Sequence, residues 1–307
     1  MEEPTKPNKE DCCNSGCNPC IFDVYENQLE MYEKFKKSKQ FCSNPSSNGI
    51  SQTEYRSFVI SDISNITDSV KMMKFNSVEK LLHKKVTWKP GQHFLFKYVS
   101  EFKTCTRAYT PIACKNGEVK HDFYIILKKY ENGLVSKALF NLKKGEKTLW
   151  RGPYGSYKIE ENKYKRIIMV AQGTGIAPFI SIIETILNNE DDMTLLTLFF
   201  CCCDVKTILL RNQLYAYKSF WNFSYTVFLS SFSDESLKYE EPIVKRKLVT
   251  KDLDELNPSA SDQFLICGSK AFMSEYKSHL LNLNISEENI HSENHIRVLN
   301  PTFKDMN

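Results

Sequence analysis

Arg166-Ile-Ile-Met-Val-Ala-Gln-Gly-Thr-Gly-Ile-Ala-Pro-Phe179 is the stretch that decides the fold. Its first six residues read as a buried strand. Gln172-Gly-Thr-Gly175 then turns the chain into a helical pattern over Ile176–Leu187. Glycines between a strand and a helix let backbone N–H groups approach a diphosphate at the helix N-terminus, where the orphan donors and the dipole favour an anion. Pro178 falls in the first helical turn, where its missing N–H costs nothing. Alone, a Gly-x-Gly after a strand is equally an ordinary tight turn, so the neighbouring sequence has to choose.

Downstream the rhythm continues. Strands are expected at Leu195–Cys202, Tyr225–Leu229 and Phe264–Cys267, with helices at Ile208–Phe220 and Ala271–Leu283. Strands alternating with helices indicate a parallel α/β sheet. Upstream the pattern differs. Tyr55–Ile60, His93–Val99, Arg107–Ile112 and Asp122–Leu127 are short, aromatic and β-branched, and turns such as Lys89-Pro-Gly91 and Lys115-Asn-Gly117 separate them. Only Val135–Leu142 looks helical there, which suggests a small antiparallel barrel. The first 45 residues are polar and cysteine-rich, with one short amphipathic helix over Val24–Lys37 and a linker at Cys42-Ser-Asn-Pro-Ser-Ser-Asn-Gly49. The 307 residues thus divide into a Cys-rich segment (1–45), a β-barrel (52–157) and an α/β domain (160–300).

Composition removes several classes. At 41% hydrophobic and 12% aromatic, the chain has material for real cores. A net charge of only +4 argues against a nucleic-acid binder. Apolar stretches such as Met193–Phe200 fall far short of the ~20 residues that cross a bilayer. The polar, acidic start and Glu2 carry neither a secretory signal nor a myristoylation site. The expectation is a protein that is not secreted, cytoplasmic or peripherally membrane-associated. Its eleven cysteines read as free or metal-bound thiols rather than a disulfide scaffold.

The strand Arg107-Ala-Tyr-Thr-Pro111 combines a side chain that clamps a diphosphate bidentately, one that stacks on a flat ring and one that hydrogen-bonds a ring nitrogen. Alternation puts Arg107 and Tyr109 on one face and Thr110 on the other unless the strand bends. With Gly133-Leu-Val-Ser136, Arg151-Gly-Pro-Tyr-Gly155, Gly173-Thr-Gly-Ile-Ala-Pro178 and Cys267-Gly268 in this order, residues 52–295 resemble the ferredoxin reductase-like flavoproteins, and among them the NADH–cytochrome b5 reductases. The resemblance implies an antiparallel FAD-binding barrel followed by a parallel-sheet nucleotide-binding domain. It assigns FAD to Arg107, Ala108, Tyr109, Thr110, Gly133, Leu134, Val135 and Ser136. Gly173, Thr174, Gly175, Pro178 and Gly268 fall to the pyridine nucleotide.

The same resemblance brings His93, in Gly91-Gln-His93 and fourteen residues before Arg107, close to the flavin with Thr110, where the two could relay the proton of its N5. By itself a lone strand histidine is more often half-buried and satisfied by backbone. Cys267, at the carboxyl end of an apolar strand, stands where doubly wound sheets bind ligands. A buried structural thiol is the ordinary alternative. The resemblance sets it beside the nicotinamide, shaping hydride transfer without acting as a nucleophile. Two features depart from the family. Ser230-Ser-Phe-Ser233 stands where NADH-selective relatives carry an acid near the strand end, so NADH is expected with NADPH left open. The chain also runs on through His295 to Asn307 rather than ending in an aromatic residue.

Asp11-Cys-Cys-Asn-Ser-Gly-Cys-Asn-Pro-Cys20 resembles a small oxidoreductase-like N-terminal domain. Cys12, Cys13, Cys17 and Cys20 could bind zinc or an iron–sulfur cluster, although no second well-spaced C-x-x-C accompanies them. A redox-inert folding motif is the alternative. Charge is unevenly spread. Residues 46–160 carry a net +10, residues 161–307 a net −4 and residues 1–45 a net −2. Lys84, Lys85, Lys128, Lys129, Lys143 and Lys144 all lie on the barrel half. That face is either simply solvated or steers an acidic electron acceptor, cytochrome b5 or a similar haem protein, toward the flavin edge. It also leaves contact with an anionic membrane open. Two functions follow: an FAD-dependent reductase passing electrons from NADH to a haem protein, or a metal-binding or adaptor protein acting through the cysteine segment.

Overall fold

The computed structural model describes residues 21–38, 48–78, 85–100, 104–114, 121–231 and 237–292, together with Pro4, Lys6 and Pro7. Cys12, Cys13, Cys17, Cys20, Asp234 and His295 lie outside the described residues. The expected N-terminal helix is present as α1 (Ile21–Ser38), beginning three residues earlier than its hydrophobic pattern suggests.

Six antiparallel strands follow: β1 (Arg56–Thr67), β2 (Val70–Ser77), β3 (His93–Val99), β4 (Thr104–Tyr109), β5 (Phe123–Lys128) and β6 (Lys147–Tyr154), with α2 (Leu134–Asn141) between the last two. Their order in the sheet is β4-β3-β6-β1-β2-β5. The two outer strands are rejoined by a single bridge, Ile112 N–H to Tyr124 C=O at 2.8 Å and Tyr124 N–H to Ile112 C=O at 3.0 Å. Pro111 has no N–H to give to a ladder, so β4 stops at Tyr109 instead of running on to Ile112.

Trp150 fills the centre of this barrel with no exposed surface. Its ring lies 5.1 Å from Phe75, 5.2 Å from Phe96, 5.5 Å from Phe123 and 5.9 Å from Tyr109. The indole N–H donates to the Thr148 hydroxyl at 2.9 Å, and that hydroxyl donates to the Phe58 carbonyl at 2.8 Å. β2 and β6 were not anticipated from sequence. In β6 a buried threonine, satisfied by this relay, hides the apolar alternation.

The second sheet contains β7 (Arg166–Gln172), β8 (Leu195–Cys202), β9 (Phe223–Leu229), β10 (Ile243–Val244), β11 (Asp262–Cys267) and β12 (Ile290–Ser292). Helices α3 (Ala177–Leu187), α4 (Arg211–Tyr217), α5 (Thr250–Asp254) and α6 (Lys270–Asn282) connect them. All pairings are parallel, in the order β10-β9-β8-β7-β11-β12. From β7 the chain winds outward through β8, β9 and β10, then returns to the other side of β7 as β11. The switch point therefore lies between the carboxyl ends of β7 and β11, where such sheets bind ligands. The helix expected from Ile208 starts only at Arg211, because Leu210 takes a left-handed conformation at φ 55°. Strands β10 and β12, of two and three residues, are too short to carry a pattern.

β5 joins the halves. Phe123, Ile125 and Leu127 point into the barrel core, while Tyr124 and Ile126 pack in the core beneath α3. Both faces are covered, which is why this strand reads as a continuous apolar run. No helix among the described residues is long and apolar enough to cross a membrane. Because Trp150 is fully enclosed, Trp150→Ala should cost about 3–5 kcal/mol in a urea unfolding measurement; a loss below about 1 kcal/mol would mean the barrel core collapses around the void.

Candidate functional site

β4 presents its residues alternately to two sides. Arg107 stands opposite Phe96 and Tyr109 opposite Phe94, so both share the side of the barrel aromatics. Each is half-buried at the edge of the sheet. Tyr109 rests edge-on against Phe96 at 6.4 Å and Trp150 at 5.9 Å, which fixes its ring plane. Burial pushes its hydroxyl far up, and the nearby Arg107 opposes that only in part, so it remains a protonated donor near neutral pH. Ala108, paired with Leu95, faces the other way and is buried, as is Thr110 at the strand's end.

His93 pairs with Tyr154 of β6, its ring 6.1 Å away, and keeps 3% exposure. By alternation it shares its side with Leu95 and Ala108. The β3–β4 ladder begins at Phe94 and Tyr109, the residues next to His93 and Thr110. The expected partners His93 and Thr110 are both buried, at 3% and 9% exposure, at the same end of the β3–β4 pair.

The turn into α2 leaves little room for a side chain at Gly133. A Cβ on Gly133 would come 2.3 Å from the Ser136 hydroxyl oxygen. That hydroxyl donates to the Gly133 carbonyl at 3.2 Å and accepts the Tyr130 N–H at 3.3 Å, so Ser136 shapes the turn from within. No side chain caps α2, and its first-turn N–H groups remain open for an anion. Val135 is buried and Leu134 exposed.

On the α/β side, Gly173 takes φ +54°, and a Cβ there would meet nothing within 4 Å, so the turn faces open space. Gly175 is its opposite: a Cβ would stand 2.3 Å from the Cys267 carbonyl oxygen. The turn Gly173–Ile176 is thus pressed onto the end of β11 by one glycine and left open to a ligand by the other. Thr174 lies between them, and Pro178 sits in the first turn of α3. The N–H of Ser269 donates to the Gln172 side chain at 3.0 Å, which fixes Gly268 beside the same turn. Cys267 is 5% exposed and paired with Ala171.

Tyr130 stands between the two groups. Burial raises its hydroxyl pKa, a hydrogen-bonding interaction with the Thr174 side chain opposes the rise, and Cys267 adds to it. The same hydroxyl is close enough to Tyr109 to raise that residue's pKa as well. The sequence offered one unused hint, an aromatic residue three positions before Gly133. Lys128 and Lys129, both exposed, flank this turn, with the Lys128 ammonium 5.7 Å from the Tyr130 ring. Ser230 and Ser231 leave β9 with their N–H groups bonded to the Cys202 and Cys203 carbonyls at 3.1 and 2.7 Å, both exposed at the carboxyl edge of the sheet. Among the described residues, no three His, Cys, Asp or Glu side chains gather as a metal site.

An open glycine turn at the switch point, uncapped N–H groups on α2 and an Arg–Tyr strand edge between them fit a flavin and a pyridine dinucleotide. Comparison with known proteins agrees. The Oxidoreductase FAD-binding domain family matches residues 57–159, the Oxidoreductase NAD-binding domain family residues 169–278, and the family described as Oxidoreductase-like protein, N-terminal, residues 1–40. The chain is 30% identical over 304 residues to a mouse protein named NADH-cytochrome b5 reductase-like, covering 93% of each. It is 29% identical to its human counterpart, covering 93% of this chain and 92% of that one. The cytochrome b5 reductase domain of Ulva prolifera nitrate reductase superposes with a TM-score of 0.64 at 19% identity, over 80% of this chain and 99% of that one. A ferredoxin NADP+ reductase from Neisseria gonorrhoeae, solved with FAD and NADP, gives 0.63 at 17% identity, over 79% and 99%. With both cofactor domains in the expected order and such likeness over nearly its whole length, the chain belongs to the cytochrome b5 reductase family of FAD- and NAD-dependent oxidoreductases, with an oxidoreductase-like N-terminal segment.

Proposed function

We propose that this reductase takes a hydride from NADH and delivers electrons singly to an acidic haem protein, cytochrome b5 or one like it. The observation that carries the reading is the placement of Tyr130. Its hydroxyl interacts with Thr174 and Cys267 at the nucleotide turn and with Tyr109 at the end of β4. A nucleotide turn and a flavin strand that both adjoin Tyr130 would let the two rings, once bound, approach each other directly for hydride transfer. When bound, FAD supplies the conversion from a two-electron hydride to single electrons.

The chain's own residues bind and orient. Arg107 neutralises the flavin diphosphate, the N–H groups of Leu134, Val135 and Ser136 receive it at the start of α2, and Tyr109 sets the ring plane against Trp150. Gly173, Thr174 and Gly175 take the dinucleotide diphosphate, aided by the dipole of α3, with Pro178 and Gly268 shaping the crevice. Cys267, buried at the end of β11, packs beside the nicotinamide as a shape element. His93 and Thr110 hold a proton path at the strand end behind the ring. The exposed Lys128 and Lys129 beside the α2 turn belong to the basic barrel half and receive the acidic acceptor. The work takes place in the cytoplasm or at the periphery of a membrane.

Arg107→Ala removes a charge-assisted clamp, and FAD affinity should fall by about 10- to 100-fold, the equivalent of ~1.5–3 kcal/mol. Flavin absorbance retained after gel filtration of that variant would reject the assignment.

With serines at the end of β9, NADH should be preferred over NADPH only modestly. Steady-state kcat/KM for each nucleotide tests this, and a preference for NADPH of about tenfold (~1.4 kcal/mol) would reverse the ordering.

Cytochrome b5 reduction should slow as salt shortens the Debye length from about 10 Å at 0.1 M to about 3 Å at 1 M, while a small neutral dye is reduced at a steady rate. A second-order rate with cytochrome b5 that ignores ionic strength would remove the electrostatic docking.

A further inference from the structure

The side of β4 opposite to Arg107 and Tyr109 is not bare. Ala108 stands between Arg107 and Tyr109, and the two-residue period of a strand points it opposite to both. There it forms a small apolar patch with Leu95, its direct partner on β3, and with Tyr154 of β6. These three residues keep 5%, 1% and 1% exposure. Val24 of α1, at 8% exposure, covers them together with half-buried Phe22.

β4 needs such cover. It is an outer strand of the sheet, laddered along one side to β3, and among the described residues its other edge is joined to β5 by the bridge beyond Pro111. A strand held on one side opens more readily than one held on two. Any tilt of its backbone is transmitted directly to Arg107 and Tyr109, because they are the immediate neighbours of Ala108. A diphosphate clamp and a stacking ring lose their value when displaced by about an ångström. The helix begins at Ile21, the residue that follows Cys20 in sequence.

We propose that α1 is the brace of the flavin-bearing strand and that Val24 is a positioning residue for FAD, acting through Ala108. The oxidoreductase-like segment then serves cofactor retention within its own chain. The inference rests on the assignment of β4 to FAD, and the experiment separates the two.

Apoprotein of the full chain is titrated with FAD by flavin fluorescence, and KM for NADH and kcat are measured at saturating FAD. Val24→Asp, which puts a charge into the patch, should weaken FAD by about tenfold or more while leaving KM for NADH within about twofold, since the nucleotide turn lies in the other half. Val24→Ile should restore affinity, and Glu26→Gln, at an exposed position of the same helix, should leave it unchanged. Should Val24→Asp fail to fold, Val24→Ala decides in its place, with a weakening of about threefold expected. FAD affinity unchanged in whichever Val24 variant is folded overturns the brace. So does a rise in KM for NADH parallel to the loss of FAD that Val24→Ile fails to correct, the mark of general loosening. If Arg107→Ala keeps its FAD, the assignment of β4 itself falls and the brace with it; if Arg107→Ala loses FAD and Val24→Asp does not, only the brace falls.

Discussion

Two hydrogen bonds between Ile112 and Tyr124 close the barrel and, at the same point, join it to the nucleotide-binding half. Without them β4 and β5 would be the two free edges of an open sheet. With them, the strand that ends in Arg107-Ala-Tyr-Thr110 is brought beside the strand that leads into the Gly133–Ser136 turn. Ile112 and Tyr124 are also members of the core under α3, at 0% and 8% exposure. The bridge is therefore buried from the far side by the second domain, where an unmade backbone hydrogen bond would be costly. Barrel closure and domain docking stabilise each other, and the cofactor site lies along their seam.

Along that seam the glycines divide their tasks. Gly175 and Gly133 are small because protein atoms occupy the space a side chain would need, the Cys267 carbonyl in one case and the Ser136 hydroxyl in the other. Gly173 is small for a different reason: its backbone is left-handed and faces open space. The first two assemble the site, and the third exposes backbone to a ligand. The side chains are divided in a similar way. Trp150 and Thr148 carry no cofactor chemistry, yet they set the plane against which Tyr109 lies.

Much of this was legible in the chain. The run Ile167–Ala171 with its glycine turn and the alternation of strands and helices after it determined two domains and their classes, and the family resemblance carried by the order of Arg107, Gly133, Gly173 and Cys267 implied the two cofactors. Local signals suffice there, because a buried parallel strand must be apolar and a turn onto a diphosphate must be glycine-rich. What the sequence did not determine lies between elements. β6 was hidden because Thr148 is buried and satisfied by Phe58 and Trp150, a relay that exists only once β1 and β6 are paired. Tyr130 carried no motif, and its interactions with Tyr109, Thr174 and Cys267 join residues far apart in sequence. The pairing of His93 with Tyr154, on the side of the strands away from Arg107, is a matter of register, which a shift by one residue would invert. Val24 read as one apolar position on an amphipathic helix; that it rests on Ala108, behind the flavin strand, was decided by tertiary packing alone, because a hydrophobic side chain specifies that it will be covered and not by what.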